Sequence, residues 1–154
     1  MSIKSFIVKQ FAKTVQARTS KMARSAVKDQ NRIFKQLLKQ ASKTSYGIDH
    51  GFDSIATHKD FCTKVPIRSY EDIRSYVDEI IDGKSDVLWP GRPKYFAKTS
   101  GTTSGVKYIP ITEASIKHHI RAARNTILNY VAQSQVNIFS RKMIFLSGSP
   151  ILES

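Results

Sequence analysis

Thr99-Ser100-Gly101-Thr102-Thr103-Ser104-Gly105-Val106-Lys107 gathers five hydroxyls, two glycines and a lysine into nine residues. Its flanks are as telling as its content. Tyr95-Phe96-Ala97 reads as a short buried strand before it, and Tyr108-Ile109-Pro110-Ile111 as another after it. Glycine frees the backbone to take positive φ and to expose N–H groups as an anion-binding nest. Ser and Thr hydroxyls turn to fit phosphate oxygens, and a lysine adds a compact positive charge. A polyphosphate is the natural ligand of such a loop.

Two familiar phosphate loops are excluded. A Walker A loop places four residues between its glycines and ends in Gly-Lys, whereas three residues separate Gly101 from Gly105 here and Val106 precedes the lysine. The dinucleotide pattern G-x-G-x-x-G is not present. Both of those loops run directly into a helix whose N-terminus receives the phosphate. Here Pro110 follows shortly, among β-favouring residues, so the loop is expected to join two strands and to bind through nests and hydroxyls.

Working outward, Thr112 is placed to cap a helix from Glu113 to about Gln133, with Ile116, Ile120, Ala123, Ile127, Tyr130 and Val131 as its expected core stripe. Lys142 to Leu146 reads as a further strand, apolar almost throughout and leading into Ser147-Gly148-Ser149-Pro150. Upstream, Val87-Leu88-Trp89-Pro90-Gly91 is a tight apolar corner. Before it, Ser69 as N-cap with Asp72 three residues on predicts a capped helix whose apolar face is Ile73, Val77, Ile80 and Ile81. Residues 48–66 are mixed, with Gly51 and Asp53 marking turns, a short helix near His58 to Phe61 and a break at Pro66. No internal repeat and no low-complexity tract interrupts this order. Basic helices followed by mixed strands and helices make the expected fold class α/β.

The chain has 154 residues and a net charge of +13, yet the excess is local. The first 48 residues carry eleven Lys and Arg against one acid, Asp29. A helix is expected over residues 2 to about 27, with Ile3, Phe6, Ile7, Phe11, Val15, Met22 and Ala26 near one face. A second is expected over about 30 to 44, with Ile33, Phe34, Leu37, Leu38 and Ala41 buried, ending at Tyr46-Gly47 on a left-handed glycine. Charges spaced every three to five residues fit the wet side of such helices. Contact with a membrane or polyanion, and organellar targeting, are the other readings of a basic segment. Aromatic residues are not interleaved as a base-stacking platform needs, so no nucleic-acid partner is expected. No run approaches the length of a membrane span, so no stable membrane insertion is expected either. The single Cys62 cannot form an internal disulfide and suits a reducing, cytoplasmic location; it is expected buried or half-buried.

Other chemistries find little support. His118-His119 are adjacent, and neighbours on a helix point about 100° apart, so the two cannot chelate one ion from one face. One is expected at the core edge and the other in solvent. Ser147-Gly148-Ser149 resembles a nucleophile turn but lacks G-x-S-x-G spacing.

Thr99 to Lys107 resembles the phosphate-binding loop of the adenylate-forming superfamily. More specifically, Leu88-Trp89-Pro90-Gly91, then Tyr95 through Gly105, then Tyr108-Ile109-Pro110 resemble the Gretchen Hagen (auxin-responsive promoter) family of acyl acid amido synthetases, in a form closer to its bacterial members. Tyr46-Gly47, His50-Gly51-Phe52, Val65-Pro66 and Tyr70-Glu71-Asp72 are similar to that family too. The resemblance runs from about Gln30 to Ser149.

The resemblance implies a two-step ligase. A small carboxylic acid attacks the α-phosphorus of ATP to give an acyl-adenylate and pyrophosphate, and an amine then takes the acyl group. Thr99, Ser100, Thr102, Thr103 and Ser104 would line the phosphates, with the β- and γ-phosphates on the last four. Gly101 and Gly105 would supply bare backbone, and Lys107 would counter charge on the leaving pyrophosphate. Ligands for Mg2+, a ribose-binding aspartate, the adenine pocket and a mobile C-terminal domain are implied outside this chain. Residues 1–154 are therefore expected to be an incomplete N-terminal portion of one acyl-adenylating domain, inactive alone. Its expected parts are a basic helical segment (1–45), a helical or irregular one (46–92) and the phosphate-loop α/β segment (93–154). The rival readings are a thioester-forming ligase and a non-catalytic basic binder of membrane or nucleic acid.

Overall fold

In the computed structural model, residues 3–99, 105–134, 142 and 144 are described. The expected strand around Lys142–Leu146 and the turn after it lie outside those residues, apart from Lys142 and Ile144. The described elements are helices α1 (Ile3–Arg24), α2 (Ala26–Ala41), α3 (Ser45–Asp49), α4 (His58–Lys64), α5 (Tyr70–Ile81) and α6 (Glu113–Ser134), with strands β1 (Tyr95–Lys98) and β2 (Tyr108–Ile111). The class is α/β as expected, with helices dominating and a two-stranded sheet. The chain divides into two compact units, one of Ser25–Ile120 and one of Met1–Arg24 with Arg121–Ser154.

In the larger unit, local signals decide where helices start. The Ser69 hydroxyl accepts the Asp72 N–H while the Asp72 carboxylate takes the Ser69 N–H, and Thr57 with Asp60 repeats the arrangement at α4. Each box satisfies two N–H groups that a helix start leaves without partners. α5 then buries Val77 and Ile80, while Ile81 is exposed.

The end of α2 departs from expectation. The helix stops at Ala41, because the buried Thr44 hydroxyl donates to the Ala41 carbonyl at 2.8 Å and accepts the Gly47 N–H at 3.0 Å. Tyr46-Gly47 is thus inside α3, and the left-handed glycine is Gly51, with φ 59°. The first N–H groups of α3 are taken by the apolar corner, Ser45 donating to the Asp86 carbonyl at 2.8 Å and Tyr46 to that of Val87 at 3.0 Å. Asp86 itself holds φ 59° and accepts the Gly91 N–H on its carboxylate at 2.8 Å. Only Leu38 and Ala41 of the expected α2 stripe are buried; Ile33 and Leu37 are exposed.

β1 and β2 form an antiparallel hairpin with Tyr95 opposite Ile111 and Lys98 opposite Tyr108. Both strands fall where β-favouring residues and a helix-blocking proline put them, but β1 is not the buried strand expected: Tyr95 and Lys98 are exposed and Phe96 and Ala97 half-buried.

The smaller unit packs α1 against the later part of α6 through Ala12, Val15, Leu128, Val131 and Ala132, with Val8 against them. This corrects the expected stripes. Ile3, Phe6, Ile7, Phe11 and Met22 of α1 are exposed, as are Ile120, Ala123, Ile127 and Tyr130 of α6. Val15 and Val131 are buried as expected, while buried Ala12 and partly buried Val8 lie beside the predicted α1 face, where small side chains let two helix backbones approach. The first helix also ends at Arg24, and Ala26 already belongs to α2. Among the described residues, no helix is long and apolar enough to cross a membrane.

Candidate functional site

The hairpin carries the hydroxyl-rich loop at its tip. Beyond the last strand pair, the Thr99 N–H donates to the Lys107 carbonyl at 3.0 Å, so the two ends of the loop are fixed across one backbone hydrogen bond. Gly105 adopts φ 78°, and a β-carbon there would meet nothing within 4 Å. The glycine is therefore required by conformation and not by crowding. Ser100, Gly101, Thr102, Thr103 and Ser104 lie outside the described residues. Of the sequence-predicted site, the structure places Thr99, Gly105 and Lys107 and brings them to one end of the hairpin.

Lys107 is half-buried, and its ammonium stands 5.4 Å from the centre of the Tyr70 ring, within cation–π range. Tyr70 opens α5 directly after the Ser69 cap. Its hydroxyl accepts the Tyr108 N–H at 3.0 Å and lies 3.4 Å from the Tyr108 carbonyl, to which it donates. Backbone groups on a strand edge left without a neighbour need some partner. At Tyr108 that partner is a side chain. Phe96 meets the Tyr108 ring edge-on at 6.4 Å, which packs the same strand from its other neighbour.

Tyr70 was missed as a site residue from the sequence, where it stood only within a Tyr-Glu-Asp resemblance. A tyrosine at the first position of a capped helix carries no signal for a backbone 38 residues away.

β2 leads through Thr112 into α6, where the Thr112 hydroxyl accepts the Ser115 N–H at 3.2 Å as the expected cap. Thr112 and Trp89 both line two cavities of this unit. One, of about 90 Å³, is walled by Ile80, Val87, Pro93 and Pro110. The other is a cleft of about 530 Å³ between α2 and the start of α6, lined by Ile33, Gln36, Leu37, Gln40, His118 and His119. Both histidines are exposed, so neither sits at a core edge.

Cys62 is exposed too, contrary to expectation, with its sulfur 3.6 Å from Nδ1 of His58 one turn earlier on α4. A seven-residue helix has too little hidden surface to bury a side chain at every turn. Among the described residues, no group of three or more His, Cys, Asp or Glu is arranged to hold a metal ion.

Residues 15–151 match the family model described as the GH3 family N-terminal domain. An indole-3-acetic acid-amido synthetase of Arabidopsis thaliana, GH3.15, is 34% identical over 94 residues, covering 59% of this chain and 16% of that protein. A putative indole-3-acetic acid-amido synthetase of Oryza sativa subsp. japonica, GH3.10, is 29% identical over 113 residues, covering 71% of this chain and 22% of that protein. This chain therefore spans about a fifth of such relatives. The solved structure of GH3.15 acyl acid amido synthetase matches with a TM-score of 0.70 at 21% identity, covering 81% of this chain and 22% of that one. That likeness shows the fold: helices and a small sheet arranged as in the N-terminal part of that protein.

Proposed function

Because this chain belongs to the GH3 family through its N-terminal domain, we propose that it supplies the phosphate-gripping segment of an ATP-dependent acyl acid amido synthetase. The substrates are a small carboxylic acid, ATP and an amine such as that of an amino acid. In the first step the carboxylate oxygen bonds to the α-phosphorus of ATP. The bond from that phosphorus to the bridging oxygen breaks, and pyrophosphate leaves with the electron pair. In the second step the amine nitrogen bonds to the acyl carbon, AMP departs and the nitrogen loses a proton.

The observation that carries this reading is the closure of the hairpin at Thr99 and Lys107. It sets both ends of a hydroxyl-rich loop beside a half-buried ammonium. The donor set fits a polyphosphate: left-handed backbone with open space at Gly105, hydroxyls along the loop and a lysine at its end. Ser100, Thr102, Thr103 and Ser104 are assigned the β- and γ-phosphates, and Lys107 the charge that grows on pyrophosphate as it leaves. This is positioning and electrostatic stabilisation, with no covalent intermediate on the protein.

Exchange of labelled pyrophosphate into ATP by the complete gene product, driven by a panel of carboxylic acids that includes indole-3-acetate, tests the reading. Lys107→Ala and Thr102→Val are each expected to slow acid-dependent exchange about tenfold to a hundredfold, since one charge-assisted contact to phosphate contributes about 1.5–3 kcal/mol. Wild-type rates in both variants would reduce the loop to a structural hairpin. Product formation with amino acids, compared with coenzyme A, separates the amide-forming from the thioester-forming ligase.

A further inference from the structure

The charge of the proposed site is carried on the long side chain of Lys107. A lysine side chain has four rotatable bonds and loses about 2 kcal/mol of rotamer freedom when it is held in place. Any group that holds it before phosphate arrives removes part of that cost from binding. One group stands where it can do so: the Tyr70 ring, 5.4 Å from the Lys107 ammonium.

Tyr70 is itself held on both sides. It begins α5 one residue after Ser69, whose reciprocal hydrogen bonds with Asp72 fix the first turn. Its hydroxyl grips the N–H and carbonyl of Tyr108, the residue next to Lys107 in the chain. Ring and hydroxyl thus act on neighbouring residues, the first on the side chain of Lys107 just before β2 and the second on the backbone of Tyr108, which opens β2 and aims it. An ammonium resting on a ring face still presents N–H groups away from the ring, so the contact orients Lys107 without consuming it.

Resting on the phosphate-loop reading above, we propose that Tyr70 is a positioning residue that holds the Lys107 ammonium ready for pyrophosphate, its ring by cation–π contact and its hydroxyl by fixing β2.

Calorimetric titration of this chain with inorganic pyrophosphate tests it, on wild type, Lys107→Ala, Tyr70→Phe and Tyr70→Leu. Thermal unfolding of each variant shows whether the fold is kept. Tyr70→Leu removes ring and clamp and is expected to weaken binding about five- to tenfold, in line with cation–π contributions. Tyr70→Phe keeps the ring and is expected to recover part of that loss. In the free protein, NMR is expected to find the Lys107 side-chain methylene protons shifted upfield by the ring current, in wild type and Tyr70→Phe but not in Tyr70→Leu. A purely structural tyrosine would lower the melting temperature and leave pyrophosphate affinity unchanged. Binding lost in Lys107→Ala yet unaltered in both Tyr70 variants would overturn the role of Tyr70 alone. No binding by wild type would overturn the phosphate-loop reading, and this inference with it.

Discussion

Gly47 lies against the end of α2 so closely that a β-carbon on it would overlap the carbonyl oxygen of Ala41. The same carbonyl accepts the Thr44 hydroxyl, so neither it nor the turn around it is free to give way. Gly47→Ala is therefore expected to destabilise the chain by about 3 kcal/mol, the upper range for inserting a methyl group into a packed site. Gly91→Ala is the contrasting case, strained in backbone but uncrowded. Its φ of 78° is unsuited to alanine, unlike the helical backbone of Gly47, but nothing stands within 4 Å, so about 1 kcal/mol is expected from backbone strain alone. Urea unfolding of both variants measures the difference, and equal losses would rule out packing as the reason for Gly47.

Val77 and Ile81 stand one turn apart on α5 and both belong to its predicted apolar face. Val77 is 1% exposed and Ile81 48%. Val77→Ala should cost about 2 kcal/mol, from lost burial plus the cavity left behind. Ile81→Ala should change stability by less than about 0.5 kcal/mol, as exposed substitutions do. Denaturant midpoints on the two variants decide it, and the reverse order would reverse the assignment of the α5 core face.

Tyr76 donates its hydroxyl to the Asp49 carboxylate at 2.7 Å. That hydrogen bond, then burial, then the Asp49 and Tyr46 charges, push its pKa up to about 12. A raised pKa favours the protonated phenol in the fold. The stability it contributes is complete below pH 10 and is lost as pH rises toward 12. Absorbance at the phenolate band is expected to show one late-titrating tyrosine, absent from Tyr76→Phe. Asp49→Asn should shift that titration downward.

The capping acids act at the opposite end of the scale. Hydrogen bonds from the backbone and then the side chain of Ser69 lower the Asp72 pKa, and those from Thr57 lower that of Asp60. A depressed carboxylate pKa gives stability that is present above the ordinary value of 3.8 and lost as pH falls through the depressed one. Unfolding midpoints are thus expected to drop below about pH 4. Asp72→Asn and Asp60→Asn should flatten that limb, and an unchanged acid profile in the double variant would show that neither box contributes.

What the sequence disclosed follows from how far each signal reaches. Ser69 with Asp72, and Thr112 with Ser115, act within one turn, so helix starts could be read directly. The hairpin was legible from two short β-favouring runs around a glycine-containing loop, and with it the placement of Thr99, Gly105 and Lys107. Gly47 misled because a glycine near a helix end commonly takes left-handed backbone, whereas here the lack of a side chain matters more. The faces of α1 and α6 were misread because burial depends on the partner helix. Ala12 and Ala132 are buried there, while Phe6 and Tyr130 are not. The bonds from Tyr70 to Tyr108 span 38 residues and leave no local trace.

Trp89 is the chain's single tryptophan, and it lines the two cavities described in the Ser25–Ile120 unit. Its emission is consequently a private optical channel for that unit. The helix pair built on Ala12, Val15 and Val131 contains no indole and is silent in it. Far-ultraviolet circular dichroism, by contrast, sums over every helix. If the two units melt independently, the fluorescence and dichroism curves will part company, and the gap between them will read out the cooperativity of the whole chain without a single substitution.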